Sequence, residues 1–541
     1  MRDAHYRDGY VPFPDADAAR YRAAGIWQGR SLGELLRDAA RRRGPALALV
    51  GDAQPFTYAQ LDQAADRMAA GLRARGLAVG DRVVVQLPNG PDFVVVLFGL
   101  VRAGAIPVLT LPAHRSAEIT HLAALSGAVG YVIADRAAGF DYRDLAVQVQ
   151  EAAPAVRHVL VLGEPGPFEA LAEVPCDLND ADPEQALPEL DPSDIALMLV
   201  SGGTTGLPKL IARTHDDYHY NARASAAVCG LGETDVYLAT LPVAHNFPLA
   251  CPGILGTLAA GGAVAFTADP SPETAFAVIE RHRVTVTAVV PPLAQLWCAA
   301  VDWEPADLSS LRLLQVGGAR LAEANAREVE PRLGARLQQV FGMAEGLLNY
   351  TGLDDPEELV VATQGKPLSP ADCVRVVDAD GADVAPGAEG ELITKGPYTI
   401  SGYYRAAEHN ARAFTPDGWY RSGDLVRRLP TGHLIVSGRV KDVINRGGEN
   451  VSCDELEEHL LAYPGIRHAA AVGLPDESLG EKVCAALVVD DAMPTLREVK
   501  AFLADRGLAG YKHPDLLRPL SELPTTAVGK IDRRALAATL T

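Results

Sequence analysis

The sequence predicts an α/β protein with a large N-terminal domain of largely parallel sheets flanked by helices and a small α+β C-terminal domain. Three observations predict it. The chain has 541 residues, too many for one hydrophobic core, so more than one domain is expected. Short β-branched runs alternate with amphipathic or apolar stretches of helical length, which is the pattern of parallel strands covered by helices. The texture of the last hundred residues then changes to hairpins and short helices.

In chain order, "DRVVVQLPN" (81–89) reads as a buried strand and "PDFVVVLFGLVRAG" as the helix after it. "GAIPVLTLP" and "VGYVIAD" are strands, separated by the helix "HRSAEITHLAALSG". "VTVTAVVPP" (284–292) and "LRLLQVGGA" (311–319) continue the series. Residues 162–192 are acidic and proline-rich and read as a surface connection. A boundary is expected near Gly438. Beyond it "GHLIVSGRVKDVINRGGENVS" reads as a hairpin and turn, "CDELEEHLLAYPG" and "LREVKAFLADRG" as helices, and "RHAAAVGLPD" and "KVCAALVVDD" as strands. No internal repeat or long low-complexity tract interrupts this order.

Composition excludes several classes. Forty-nine basic residues against 69 acidic ones give a net charge of −20, which argues against a nucleic-acid surface. It does not exclude nucleotides, which need only a few local donors. The seven cysteines, at 176, 229, 251, 298, 373, 453 and 484, form no C-x-x-C pair. They predict a reducing, cytoplasmic setting without a structural zinc. No apolar signal core or transmembrane run is visible, so no membrane partner is expected.

The chemistry starts at "VSGGTTGLPK" (200–209), directly after the apolar run "IALMLV". A glycine- and threonine-rich loop at a strand end lets backbone approach a phosphate closely, although a plain tight turn would use the same residues. It is not a Walker A loop, because Gly206 is followed by Leu-Pro rather than Lys-Ser/Thr. Further along come "QQVFGMAEG", ending near the carboxylate Glu345, and "WYRSGDL", which places Asp424 in a Ser-Gly turn. "SGRVKDVINRGGE" puts Arg439 and Lys441 at the domain boundary, and "LPTTAVGKIDR" holds Lys530 after Val-Gly.

This ordered set resembles the signature of adenylate-forming enzymes, which include peptide-synthetase adenylation domains, acyl-CoA synthetases and firefly-type luciferases. The resemblance runs from about residue 30 to the end. It implies that a carboxylate attacks the α-phosphorus of ATP to give acyl-AMP and pyrophosphate, so cations and amide donors must gather two anionic reactants. It implies ATP contacts from Gly203, Thr204, Thr205 and Lys209 in the loop, and from Gly318, Ala319, Val340 and Ala344 around adenine. Asp424 is implied for the ribose hydroxyls, and Glu345 for a Mg²⁺ ion bridging the phosphates. Lys530 would bridge the substrate carboxylate and the α-phosphate as the catalytic lysine. The expected organisation is a core over 1–438, a hinge over 439–441 with Arg439 and Lys441, and a mobile lid over 442–541. The lid would rotate after adenylation for transfer to a thiol, with Gly447 and Gly448 lining the thiol tunnel.

The acid pocket is expected in "LPVAHNFPLACPGILG" (241–256), which lacks the aspartate that amino-acid-activating domains use for an α-ammonium. It offers His245, Asn246, Phe247 and Cys251, joined by Gly317 and Leu348; His245 and Glu345 are carried with Lys530 as candidate catalytic residues. Asn246 can hydrogen-bond an ortho hydroxyl, although "HN" would also suit a helix cap. With "EGLLNY", the stretch resembles the stand-alone aryl-acid adenylating enzymes of siderophore biosynthesis. That resemblance implies salicylate or a ring-substituted salicylate rather than 2,3-dihydroxybenzoate, for which serine and a smaller residue tend to replace Cys251 and Leu348. It also implies an aryl carrier protein with phosphopantetheine, supplied in trans. The alternatives are a salicylyl-CoA ligase and a 2,3-dihydroxybenzoate-AMP ligase. A non-catalytic aryl-acid sensor on this fold is disfavoured because Lys530, Glu345 and Asp424 are all present.

Overall fold

The computed structural model describes residues 7–51, 55–176, 187–201, 208–267, 269–440, 443–446, 449–476, 479–490, 492–506, 508, 510–526 and 529–540. Two large sheets dominate. One has nine strands, with the six strands from Arg336–Met343 through Leu313–Gly317, Val286–Val289, Val236–Ala239 and Ala263–Phe266 to Leu47–Val50 all parallel. Antiparallel pieces finish its edges: Gly346–Tyr350 and Lys366–Pro367 at one side, Phe56–Thr57 at the other. The other large sheet has seven strands, parallel from Ile195–Val200 to Glu169–Ala170, with Leu210–Thr214 added antiparallel at its edge.

The helices between them form for local reasons. Pro91–Ala103 opens on a proline, whose missing N–H costs nothing in the first turn, and closes on Gly104 in the left-handed conformation. Ten of its thirteen residues are buried, because it lies between layers rather than on the surface. Ser116–Ser126 likewise ends on a left-handed glycine, Gly127. A core runs continuously from Pro91–Ala103 into both sheets and down to Phe247, Cys251 and Leu348, so the pocket stretch is part of the packed interior, whereas Ser116–Ser126 packs into a second core with Val84, Ile106 and Ile133.

Two expectations need correction. Beside the two largely parallel sheets stands a four-stranded antiparallel one, Cys373–Val377, Glu389–Lys395, Tyr420–Arg428 and Leu434–Arg439. Asp424 lies inside the strand Tyr420–Arg428 and not in a turn. The Ser-Gly signal arises from a register irregularity, since Ile393 pairs with Arg421 but Glu391 with Leu425. Gly423 takes φ +72° there, a conformation that costs glycine little and that turns the following carboxylate inward. The stretch read as one hairpin after residue 432 is also divided. Leu434–Arg439 belongs to this antiparallel sheet, whereas Val443–Arg446 and Glu449–Ser452 pair with each other in a separate five-stranded sheet.

That last sheet combines Ile466–Asp476 and Gly480–Val489 in a long antiparallel pair, with Leu516–Pro519 added parallel. It has its own core around Leu456, Leu460, Val483, Leu487 and Leu503. The helix Cys453–Leu461 packs on it. The hydroxyl of Ser452 accepts from the Glu455 N–H as the helix cap and donates to the Ser437 carbonyl at 2.6 Å. Among the described residues no helix is long and apolar enough to cross a membrane.

Candidate active site

The strand Leu313–Gly317 ends beside Arg336–Met343, with Gly317 in register with Val340. In an open parallel sheet the carboxyl ends of strands are where ligands bind. A β-carbon on Gly317 would stand 2.8 Å from the Val340 carbonyl oxygen and 3.0 Å from the Phe247 ring. Only glycine permits that approach, and it allows the Phe247 ring to wall the cavity below. The cavity is lined by Leu241, His245, Phe247, Val290, Gly318 and Lys530 among others. Ala319 is exposed just beyond it.

Lys530 arrives from the C-terminal unit on a tight turn. Thr526 N–H donates to the Lys530 carbonyl at 2.7 Å and its hydroxyl accepts from the Lys530 N–H at 3.2 Å. Gly529 takes φ +77° and lies against Val290. Burial lowers the ammonium pKa and Arg439 lowers it further, while Asp424 and Glu345 act in the opposite sense. Four of the expected site residues therefore share one electrostatic neighbourhood.

His245 caps the short helix Asn246–Ala250, its Nδ1 accepting from the Phe247 N–H at 3.3 Å. Burial, assisted by Lys530, holds its pKa down to about 4. The ring is neutral at physiological pH and offers Nε2–H, a donor, to the cavity it lines. The cap reading and the site reading of "HN" thus describe the same residues. Asn246 is buried, its Oδ1 accepting from the Tyr218 hydroxyl at 2.8 Å and its Nδ2 donating to Cys251 Sγ at 3.4 Å. The Cys251 thiol donates in turn to the Asn246 carbonyl, and burial pushes its pKa up to about 12. Leu348 is buried above Gly342, where an added β-carbon would stand 2.4 Å from Leu348 Cδ2.

Glu345 follows the Arg336–Met343 strand. Its Oε1 accepts from the Tyr403 hydroxyl at 2.7 Å, and the Tyr403 and Tyr420 hydroxyls are 3.0 Å apart. Lys209, at the end of the Gly/Thr loop, places its ammonium 5.9 Å from the centre of the same Tyr403 ring. Ser201 and Lys209 close the loop's base through two hydrogen bonds, Ser201 N–H to the Lys209 carbonyl at 2.9 Å and Lys209 N–H to the Ser201 hydroxyl at 3.0 Å. Gly203, Thr204, Thr205, Lys441, Gly447 and Gly448 lie outside the described residues. Among the described residues no cluster of three or more acidic, histidine or cysteine side chains could hold a metal. Mg²⁺ is commonly held through one or two carboxylates and a substrate's own phosphates. Asp424 is buried, and its Oδ1 already accepts from Arg439 Nε at 2.8 Å. Burial raises its pKa against the pull of Arg439.

Sequence reasoning missed the residues that hold this site in shape. Arg213 and Asp217 form an ion pair at 2.8 Å with both side chains fully buried. Arg213 also donates to the Ala344 carbonyl at 2.9 Å, and its guanidinium lies 4.7 Å from the centre of the Tyr218 ring. Tyr398 donates to Asp372 Oδ2 at 2.6 Å and accepts from the Leu348 N–H at 3.2 Å. Burial raises the Asp372 pKa to about 7 from 3.8. The native state then holds a proton that the unfolded chain releases, so stability falls as pH rises between those two values. Asp372→Asn is expected to abolish this component. Its melting temperature relative to wild type should rise between about pH 4 and about pH 7 in thermal unfolding, and a constant difference would rule the assignment out.

Layered α/β sheets with a small α+β unit reaching over the strand ends form the architecture of adenylate-forming enzymes. Comparison with known proteins agrees. The family model for AMP-binding enzymes matches residues 36–404, and that for the AMP-binding enzyme C-terminal domain matches residues 455–530. The chain belongs to the AMP-binding enzyme family. It is 56% identical to salicyl-AMP ligase / salicyl-S-ArCP synthetase of Mycobacterium tuberculosis, over 98% of this chain and 94% of that protein. It is 51% identical to 2,3-dihydroxybenzoate-AMP ligase of Bacillus subtilis, over 98% of this chain and 97% of that protein. The apo structure of MbtA from Mycobacterium smegmatis superposes with a TM-score of 0.76 at 54% identity, covering 98% of each chain.

Proposed function

We propose that this enzyme activates salicylate or a ring-substituted salicylate with ATP, releasing pyrophosphate. It then passes the aryl group to the phosphopantetheine thiol of an aryl carrier protein supplied in trans, in cytoplasmic, siderophore-type peptide assembly. The observation that carries the acid is the Asn246–Cys251 pair. The amide oxygen is occupied by Tyr218, so Asn246 meets the substrate as an N–H donor, suited to an ortho oxygen. The thiol's weak donor and acceptor capacity is already used on Asn246. A 3-hydroxyl would therefore be buried without a partner, at a cost of about 1–3 kcal/mol. The high identity to a 2,3-dihydroxybenzoate enzyme makes that acid the competing reading, and these two hydrogen bonds favour salicylate over it.

In this reading Phe247 and Gly317 hold the ring, and the neutral His245 donates toward the carboxylate without taking a proton. Gly318, Ala319, Val340 and Ala344 border the nucleotide base, and Asp424 meets the ribose. Lys209 and the loop before it, with Gly203, Thr204 and Thr205, face the phosphates. Glu345, fixed by Tyr403, would hold Mg²⁺, which neutralises phosphate charge when bound. Lys530 spans the reacting carboxylate and phosphate. Arg439 and Lys441 mark the hinge between a core over 1–438 and a lid over 442–541.

The test is ATP–pyrophosphate exchange with salicylate, 6-methylsalicylate, 2,3-dihydroxybenzoate, benzoate and several amino acids. Coenzyme A and a phosphopantetheinylated carrier are then compared as acceptors. Fastest exchange with a salicylate and weak exchange with 2,3-dihydroxybenzoate is the expected result. Exchange with amino acids alone would overturn the pocket assignment.

A further inference from the structure

The turn that carries Lys530 is fixed by a chain of ion pairs reaching back to the nucleotide side of the site. Arg533, three residues after Lys530, donates to both oxygens of Glu457 at 2.9 and 2.8 Å and also contacts Asp454. Both carboxylates belong to the helix Cys453–Leu461. The next residue on that helix, Glu458, meets Arg320 in a two-pronged pair, Nη1 to Oε2 at 2.7 Å and Nη2 to Oε1 at 3.1 Å. Arg320 follows Gly317, Gly318 and Ala319 directly and is one of the residues by which the large unit touches this helix. The helix is held at its other end by the Ser452 hydroxyl on the Ser437 carbonyl. It is therefore clasped twice, at its cap and in its second turn, and Arg533 transmits its position to Lys530.

We propose that Arg320 and Glu458 are a positioning pair that sets Lys530 over the acid cavity for adenylation. Neither lines the acid cavity. Forked arginine–carboxylate pairing fixes orientation as well as distance, and the pair is partly shielded, with the two side chains 17% and 30% exposed. A one-point contact between long exposed side chains would give little of this. The inference rests on the adenylating role proposed for Lys530, but its geometry can be read independently of the acid used.

The experiment uses the full chain with Arg320→Glu, Glu458→Arg and the double exchange, and the milder Arg320→Gln and Glu458→Gln as a guard against misfolding. Salicylate-dependent exchange should lose about tenfold in kcat in each single reversal, with KM for salicylate little changed, because Lys530 is, among the described residues, the C-terminal unit's one contribution to a cavity whose other lining residues belong to the large unit. The double exchange should recover to within about threefold of wild type, since the pair is restored with its charges swapped. A second readout needs no substrate: acetic anhydride labelling of Lys530, mapped by mass spectrometry. Lys530 should be shielded in wild type, labelled in the single reversals and shielded again in the double variant. Single variants that match wild type in both readouts, or a double variant no better than the singles, would overturn the proposal. A wild-type enzyme that shields Lys530 but shows no salicylate-dependent exchange would instead remove the proposed substrate and leave the positioning pair standing.

Discussion

Replacing Lys530 with alanine is expected to lower aryl-acid-dependent pyrophosphate exchange by about 10²–10³-fold, the range seen when one preorganised electrostatic contact to a developing charge is removed. The substitution should leave the fold intact, since the side chain sits on a short turn and the Thr526 bonds use only the Lys530 backbone. KM for the acid should change little, because in the proposed reading Phe247, Gly317 and Leu348 hold the ring. The same lysine sets a pH limit. Its pKa is lowered by burial and by Arg439, and a cation is lost as pH rises through its pKa. The alkaline decline of kcat/KM should therefore begin below the ordinary lysine value. His245 is neutral from about pH 4 upward and should contribute no ionisation near neutrality. A Lys530→Ala enzyme within about threefold of wild type would show that another group supplies the charge.

The second large effect concerns the acid. Cys251→Ser combined with Leu348→Val should raise the ratio of kcat/KM for 2,3-dihydroxybenzoate over salicylate by about 10–100-fold, the equivalent of one satisfied buried hydroxyl. Serine presents a strong donor and acceptor where the thiol now makes weak bonds with Asn246. Valine opens space where Leu348 Cδ2 now faces Gly342. The leucine truncation should lower stability by about 1 kcal/mol, as small reductions in core volume do. An unchanged ratio would mean that ring substituents are read elsewhere in the cavity.

Much of this was legible in the sequence, and the parts that were not share a cause. Strands such as Leu313–Gly317 and Val286–Val289 are short apolar runs, and buried parallel strands leave that trace. The antiparallel sheet through residues 373–439 was missed because its strands mix charged and apolar residues and because Gly423 imitates a turn. The site residues that could be named from the sequence lie in compact Gly-, Thr- or Pro-marked stretches. Tyr403, Tyr398 and Arg213 could not be, because each acts on a partner far along the chain. Tyr403 bonds Glu345 across 58 residues, Tyr398 bonds Leu348 across 50 and Arg213 bonds Ala344 across 131. Nothing in a local window distinguishes them from ordinary core tyrosines or a surface arginine.

The buried Arg213–Asp217 pair also bears on how specificity can be inherited. The pocket stretch 241–256 looks like a cassette that could be exchanged between relatives. Yet Asn246 depends on the Tyr218 hydroxyl, Tyr218 packs under Arg213, and Arg213 fastens the Ala344 carbonyl. A crossover that separated Arg213 from Asp217 would strand an unpaired charge in the interior, at about 3–5 kcal/mol. A crossover that left Tyr218 behind would leave the Asn246 amide, proposed above to meet the acid, unanchored. The smallest transplantable unit of substrate choice in this protein therefore spans roughly residues 210–350, and recombination within that span should yield mostly inactive chimeras.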